Sequence, residues 1–64
     1  MFLYDFIFSA LEKSVECRLW DVDTEAVIFN GTIADIPSQY NGWKIGSWEI
    51  IEDGKIGLNI YYRD

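Results

Sequence analysis

Three acidic side chains at alternating positions are the most conspicuous potential metal ligands in the sequence. Asp21, Asp23 and Glu25 lie in the stretch Asp-Val-Asp-Thr-Glu. They resemble the oxygen ligands of a calcium-binding loop, but an EF-hand loop also needs Gly at its sixth position and Glu at its twelfth. Counted from Asp21, those positions hold Ala26 and Thr32. The pattern therefore favours a turn between strands, an acidic surface, or both, and predicts no metal site.

Catalytic groups are also scarce in this chain. Glu49, Glu52 and Asp53 lie near Lys55, but on a predicted hairpin tip, which is convex and solvated and offers no enclosed site for acid–base catalysis. The sequence has no histidine and one cysteine, Cys17. These absences exclude most zinc, haem and iron–sulfur sites and every histidine-dependent nucleophile. We therefore predict neither an enzyme nor a bound cofactor, and we expect Cys17 to be a small buried hydrophobic residue.

Composition predicts one folded domain over residues 1–64 and constrains its partners. Half of the residues (50%) are hydrophobic, 17% are aromatic, and the formal net charge is -6. Phosphates are bound by Lys and Arg, so direct nucleic-acid binding is disfavoured, whereas a protein with a basic surface is compatible with this charge. A single cysteine suits a reducing cytoplasm. No apolar run approaches the roughly 20 residues that span a bilayer, so no membrane partner is predicted.

Residues 2–14 have the spacing of an amphipathic helix with an unusually wide apolar side. Their polar residues form one narrow strip, and the apolar arc covers about two-thirds of the circumference. A helix lying on one sheet needs an apolar stripe little more than about 100° wide. Tyr4 and Phe8 lie at the far edge of the arc. We therefore predict that they contact something outside the monomer.

The remainder of the chain alternates with period two, which predicts strands. Asn30-Gly31 ends or kinks the second strand, and residues 32–36 continue it past a bulge at Gly31 in the five-strand alternative. The predicted fold class is α+β, with the N-terminal helix packed on one face of a four- to five-stranded antiparallel sheet built from hairpins. The four main predicted strands cover residues 15–20, 26–29, 43–51 and 55–62.

The last hairpin has two alternative registers around Glu52-Asp53-Gly54. A two-residue loop pairs Glu52 with Lys55 and puts Glu49 on the apolar face. A three-residue loop with Gly54 in the left-handed conformation pairs Ile51 with Lys55 and Ile50 with Ile56. We predict the second register because it buries no unpaired carboxylate. It places one apolar set in the core, with Trp48 as its clearest member: Trp48, Ile50, Ile56, Leu58 and Ile60.

Two further aromatic residues, Trp20 and Tyr61, fall on outward faces in these registers. Exposed Trp and Tyr are typical anchors of protein interfaces. Base stacking is the competing explanation for exposed aromatics, but it normally needs a basic groove, and this chain has only five Lys and Arg residues. Trp20 and Tyr61 therefore join Tyr4 and Phe8 as candidate partner-binding residues.

Three pieces of the sequence within residues 11–37 and 53–60 carry a family resemblance: L-E-K-S-V-E-C-R-L-W-D, F-N-G-T-I-A-D-I-P and D-G-K-I-G-L-N-I. Their order resembles that of small accessory proteins encoded by bacterial phages and mobile elements. That group has no shared activity. Some small phage proteins inhibit host defences such as CRISPR nucleases and restriction enzymes, and several present acidic surfaces that occupy a nucleic-acid groove. The resemblance implies such a role as an alternative and assigns no functional residue.

The sequence thus predicts a small cytoplasmic interaction protein without catalysis. It would bind a basic protein surface or a second copy of itself through Tyr4, Phe8, Trp20 and Tyr61. An acidic rim would steer the partner. The alternative is an acidic, nucleic-acid-mimicking inhibitor of a host defence nuclease, and a remoter one is an enzyme or metal-binding protein. The rim consists of five residues: Asp21, Asp23, Glu25, Glu52 and Asp53.

Overall fold

The computed structural model describes residues 1–52 and 54–62. It confirms the α+β class, with one N-terminal helix and a sheet of four strands in the order β2-β1-β4-β3. Two short 3-10 turns, Ile33–Asp35 and Ser38–Tyr40, connect β2 to β3. The helix and strands are α1 (Leu3–Ser9), β1 (Glu16–Asp21), β2 (Ala26–Thr32), β3 (Lys44–Glu52) and β4 (Lys55–Tyr61).

The sheet is mixed, so the prediction of a purely antiparallel sheet is wrong. Both hairpins, β1–β2 and β3–β4, are antiparallel, but β1 pairs with β4 in parallel. The segment between the hairpins buries Ile33 and Ile36 against the core. Because this segment packs on the core, the second hairpin returns with its last strand beside β1. The two central strands carry the fully buried side chains of Leu19 and Leu58.

The second strand is continuous through Gly31, and the five-strand alternative is wrong. Gly31 pairs directly with Cys17, and the irregularity in this hairpin lies between Leu19 and Trp20 instead. The Phe29 ring covers Gly31 so closely that a Cβ there would lie 2.9 Å from the ring. Gly31 therefore lets the Phe29 ring pack closely over the strand and does not break it. Residues 33–35 leave the sheet as a 3-10 turn.

The helix is about half as long as the predicted span of residues 2–14. Ser9 ends it, and the Ser9 hydroxyl donates a hydrogen bond to the Phe6 carbonyl (3.1 Å), which competes with the helical backbone pattern. Beyond it, the carbonyls of Lys13 and Val15 accept the backbone N–H groups of the first 3-10 turn at 3.0 and 3.1 Å. These hydrogen bonds to a later part of the chain keep Lys13, which lies within the predicted helix, out of the helical conformation.

The first two residues extend the sheet before the helix begins. Phe2 forms an antiparallel bridge with Lys44, and the Ile45 N–H donates to the Met1 carbonyl at 2.8 Å. The Asp5 carboxylate accepts the Phe2 N–H at 3.2 Å and so caps the start of α1. The chain start thus covers the first residues of β3 and turns directly into the helix.

The last hairpin combines features of both predicted registers. Ile50 pairs with Ile56, as predicted, and Gly54 has the expected left-handed conformation (φ 74°). The predicted pairing of Ile51 with Lys55 is wrong, because a register shift lets Glu52 pair with Lys55. Ile51 instead packs over Gly57, where a Cβ would lie 3.2 Å from its Cγ2 atom. The predicted loop residue Asp53 lies outside the described residues.

The core is small and contains the free thiol. Cys17 is fully buried, as predicted, and desolvation raises its pKa to about 11 against a smaller opposing effect of Lys55. A thiol with a raised pKa is a weak nucleophile at neutral pH. The buried apolar residues are Leu3, Cys17, Leu19, Ile33, Ile36, Leu58 and Ile60.

Burial of Cys17 predicts a loss of stability at high pH. The unfolded thiol loses its proton near pH 9, whereas the folded thiol keeps it until about pH 11. Stability from this group is complete below pH 9 and falls as pH rises between these values, by up to about 2 kcal/mol. We expect urea unfolding from pH 7 to 11 to show this decline relative to Cys17→Ala, in which the other titrating groups are unchanged. A difference between the two proteins that stays constant over this range would contradict the assignment.

Candidate protein-binding surface

The acidic stretch after β1 forms a tight turn rather than an open ligand shell. Asp21 is only 7% exposed, and its Oδ1 atom accepts the N–H groups of Asp23 (2.9 Å) and Thr24 (3.5 Å). The Asp21 carbonyl accepts the Glu25 N–H at 2.8 Å. Asp21 therefore holds the turn and does not belong to an exposed acidic rim. In the described part of the chain, no three acidic or cysteine side chains are grouped to hold a metal ion.

The other predicted rim residues lie at opposite ends of the sheet. Asp23 and Glu25 are exposed just beyond the C-terminal end of β1. Glu52 is exposed beside the N-terminal end of β4, which runs parallel to β1. Asp53 lies outside the described residues. The structure therefore does not bring the predicted acidic residues into one rim.

The two predicted helix residues belong to an aromatic cluster on the surface of α1. Phe8 is 74% exposed and Tyr4 is also exposed. The Tyr4 ring stacks on Phe2 with centroids 5.4 Å apart and meets Phe8 edge-on at 6.4 Å. The Lys44 ammonium lies 5.6 Å from the centre of the Phe2 ring. We call Phe2, Tyr4 and Phe8 the helix aromatic cluster.

Trp20 and Tyr61 lie on the opposite face of the sheet, away from the helix. Both side chains are half-buried. Trp20 pairs with Asn59, whose amide donates to the Ser47 hydroxyl at 2.9 Å, and Tyr61 lies against Gly46, where a Cβ would be 3.4 Å from the Tyr61 ring. The four predicted aromatic residues therefore occupy two separate faces. They do not form one patch.

The most exposed apolar residues of the sheet are two that the strand alternation predicts in the core. Trp48 is 66% exposed and Ile50 is 62% exposed, so their predicted core positions are wrong. Both lie on the helix side of the sheet, but α1 has only seven residues, or about 10 Å of length, and does not cover them. The signal that could have identified them is an apolar strand face longer than the helix that must cover it.

A groove with apolar walls lies next to these two side chains. Its volume is about 310 Å³ and it opens to solvent. We call Trp48 and Ile50, together with this groove, the β3 surface. The groove is lined by Met1, Phe6, Ile45, Trp48, Ile56 and Leu58.

A charged pair crosses three strands on the outer face, the face of the sheet away from the helix. Arg18, Gly57 and Glu49 are neighbours across β1, β4 and β3. Because Gly57 has no side chain, the Arg18 guanidinium approaches the Glu49 carboxylate to 3.9 Å across it. The Glu49 side chain is still 58% exposed, and such a surface ion pair contributes little to stability. Glu49 therefore remains accessible to an external cation.

Comparison of the chain with protein-family models, with curated proteins and with solved structures gave no match. Over the described ranges, none of the helical segments has both the length and the apolar character needed to cross a membrane. The resemblance to phage accessory proteins stays a prediction.

The role of Asp21 predicts a specific order of stability among its variants. Asp21→Ala removes the acceptor of the turn N–H groups and should lower the free energy of unfolding by about 1–2 kcal/mol. Asp21→Asn keeps an Oδ1 acceptor and should lose less than half of that. Denaturant titrations followed by tryptophan fluorescence would measure both. Equal losses for the two variants would show that the hydrogen bonds do not hold the turn.

The same turn contains a strained residue whose replacement should stabilise the fold. Glu25 has φ of 56°, a left-handed conformation that costs an L residue roughly 1–2 kcal/mol. Glu25→Gly should raise the free energy of unfolding by about 0.5–1 kcal/mol, because part of the relieved strain is offset by the greater chain entropy of glycine. Asp23→Gly in the same turn is the matched control and should give no gain. A stabilisation equal in both variants would point to charge removal instead.

Proposed function

We propose that this protein is a non-catalytic interaction module that binds another protein through the β3 surface. The observation that carries the proposal is the exposure of Trp48 and Ile50 beside an apolar groove. Contiguous exposed apolar surface next to a concave site is typical of binding surfaces, and Trp is enriched among the residues that dominate binding energy. The aromatic residue predicted to fill the core is thus the proposed anchor for the partner.

The charge of the chain supports a partner with a basic surface. The formal net charge is -6, and Glu49 and Glu52 are exposed on β3 itself. Carboxylates on the strand that carries the apolar surface favour the approach of Lys- and Arg-bearing proteins and repel phosphate backbones. The partner class is therefore a protein rather than a nucleic acid, in a reducing cytoplasm where the Cys17 thiol stays free.

The helix aromatic cluster is the proposed secondary contact region. Its member Phe2 bridges to Lys44 at the start of β3, and the adjacent Met1 lines the groove of the β3 surface. The cluster and the β3 surface therefore meet at the first two residues, with the Phe2 ring on the Lys44 side of the edge and the groove on the other side. Tyr4 and Phe8, which the sequence predicts as partner-binding residues, would extend the main contact, whereas Trp20 and Tyr61 lie on the face of the sheet away from the helix.

The nucleic-acid-mimicking inhibitor receives less support from the geometry. A mimic needs carboxylates spaced along one surface, but Asp21 is buried in its turn, and Glu25 and Glu52 flank opposite ends of the sheet. The apolar character of the β3 surface does not resemble a phosphate backbone. A phage or mobile-element accessory protein that binds a host protein by apolar contact is compatible with both the sequence resemblance and this surface.

The proposal predicts that Trp48 contributes to binding and not to stability. Trp48→Ser should change the free energy of unfolding by no more than about 0.5 kcal/mol, because the side chain is mostly exposed. The partner would be captured by a photo-crosslinking residue at Phe8 and identified by mass spectrometry. Its affinity for the purified protein should fall at least tenfold in Trp48→Ser, as measured by calorimetry.

The matched control for this experiment is Trp20→Ser, which removes the same side chain from the opposite face. It should leave partner affinity unchanged. Loss of affinity in Trp20→Ser with retention in Trp48→Ser would move the binding site to the outer face. Strong destabilisation by Trp48→Ser would show that the side chain belongs to the core after all.

A further inference from the structure

Among the described residues, most of the edge of β3 that faces away from β4 is unpaired. The strand order places β3 at one side of the sheet, with β4 as its neighbour. The chain start pairs with the first residues of β3 through the Phe2–Lys44 bridge and the Ile45–Met1 hydrogen bond. Within the described residues, no strand pairs with this side of residues 46–52. An open edge is a template for another strand unless it is protected.

The direction of the backbone groups along this edge follows from the pairing of β4. The Ile60 carbonyl accepts the Val22 N–H on the β1 side, so Ile60 points away from β3. Because backbone groups alternate along a strand, Asn59 and Gly57 point towards β3, where they pair with Ser47 and Glu49.

The residues between these hydrogen-bonded pairs therefore face the open edge. They are Trp48 and Ile50, which lie opposite Leu58 and Ile56. Their N–H and C=O groups point away from β4 and are available to a further strand.

The same two residues expose their side chains. Trp48 and Ile50 present free backbone groups at the edge and apolar side chains on the helix side of the sheet. An added antiparallel strand would exchange hydrogen bonds with both residues and lay two alternate side chains against them. Its intervening residue would point to the outer face, directly opposite Glu49. One added strand would thus supply hydrogen-bond partners for the backbone groups of the edge and also cover the apolar surface.

A second copy of this chain fits the edge poorly. A two-fold pairing that uses the backbone groups of both Trp48 and Ile50 pairs each with the other in the partner copy. Its centre then lies at Glu49, which would stand opposite its own copy in the closer, non-hydrogen-bonded type of pair. Like charges directly opposite each other destabilise a strand pair, and each copy carries a net charge of -6. A foreign strand with Lys or Arg opposite Glu49 would instead stabilise the strand pair.

We propose that the partner adds an extended strand to β3, with an apolar–basic–apolar sequence opposite Trp48, Glu49 and Ile50. This inference rests on the proposed function and specifies the partner's chemistry. The apolar residues contact Trp48 and Ile50, and the basic residue pairs with the exposed Glu49 carboxylate. The backbone supplies affinity and the three side chains supply specificity. The chain start at Met1 blocks further extension at the other end of the edge.

The test uses synthetic nonapeptides with three varied central residues and Ser/Thr flanks. The central sequences are Val-Lys-Val, Val-Glu-Val and Lys-Val-Lys, and binding is followed by two-dimensional NMR of the labelled full chain. Val-Lys-Val should bind most tightly, with shifts at Trp48 and Ile50, and Val-Glu-Val at least tenfold more weakly. N-methylation of either Val should abolish binding, because those N–H groups face β3. N-methylation of the Lys should not, because its N–H points away.

A matched pair of variants changes the protein instead of the peptide and tests the same edge. Ile50→Pro removes the edge-facing N–H and keeps the β3–β4 hydrogen bonds, so the variant should fold and lose peptide binding. Ile50→Val keeps that N–H and should bind within about threefold of the original chain, since it deletes only one methylene. If Ile50→Pro fails to fold, the N-methylated peptides give the answer without it.

Three results would overturn the inference. They are equal binding of the Lys and Glu peptides, binding that tolerates N-methylation of both Val residues, and no binding of any peptide at millimolar concentration. A dimer in light scattering that Ile50→Pro dissociates would assign the edge to a second copy instead. If no peptide binds but a natural partner still requires Trp48, the inference of strand addition is wrong and the proposed function is retained. A natural partner indifferent to Trp48→Ser would end the proposed function itself.

Discussion

The parallel pairing of β1 with β4 is the interaction on which the rest of the structure depends. It places the fully buried side chains of Cys17 and Leu19 next to the half-buried Ile56 and the fully buried Leu58, so the core is built around two strands distant in sequence. Because these strands occupy the centre, their hairpin partners must lie at the edges. The same pairing sends the acidic turn after β1 and the last hairpin to opposite ends of the sheet. It therefore determines both the exposed edge of β3 and the absence of a single acidic rim in the described structure.

Local sequence patterns identified the elements but not their packing. Helical spacing correctly placed α1 near the N-terminus, and period two located the four strands, the Ile50–Ile56 pair and the left-handed Gly54. The end of α1 could not be read from the local pattern alone, because the residues beyond Ser9 are held by hydrogen bonds in which the Lys13 and Val15 carbonyls accept N–H groups of a turn about twenty residues later in the chain. The parallel pairing is likewise non-local, since either hairpin order satisfies the same alternation.

Trp48 shows why a correct prediction of which face of the strand a residue occupies does not predict whether that face is buried. Alternation placed it on the same side as Leu58, and that pairing is present. Whether this side is buried at β3 depends on how far the helix reaches, and α1 ends after seven residues. Apolar residues thus remain uncovered where the sheet extends beyond the helix. The exposed apolar side chains and free backbone groups of Trp48 and Ile50 do not pack on the chain's own core. They are therefore available to a partner at this edge.

The most direct test of this account is amide hydrogen exchange along β3, measured by NMR on the free protein at low concentration. If Ser47 and Glu49 bond to β4 while Trp48 and Ile50 face an open edge, the first pair should exchange much more slowly than the second. Protection should be greatest in β1 and β4. Slow exchange at Trp48 and Ile50 would contradict the account, because it would mean that the edge is already paired or that the register of β3 on β4 is different.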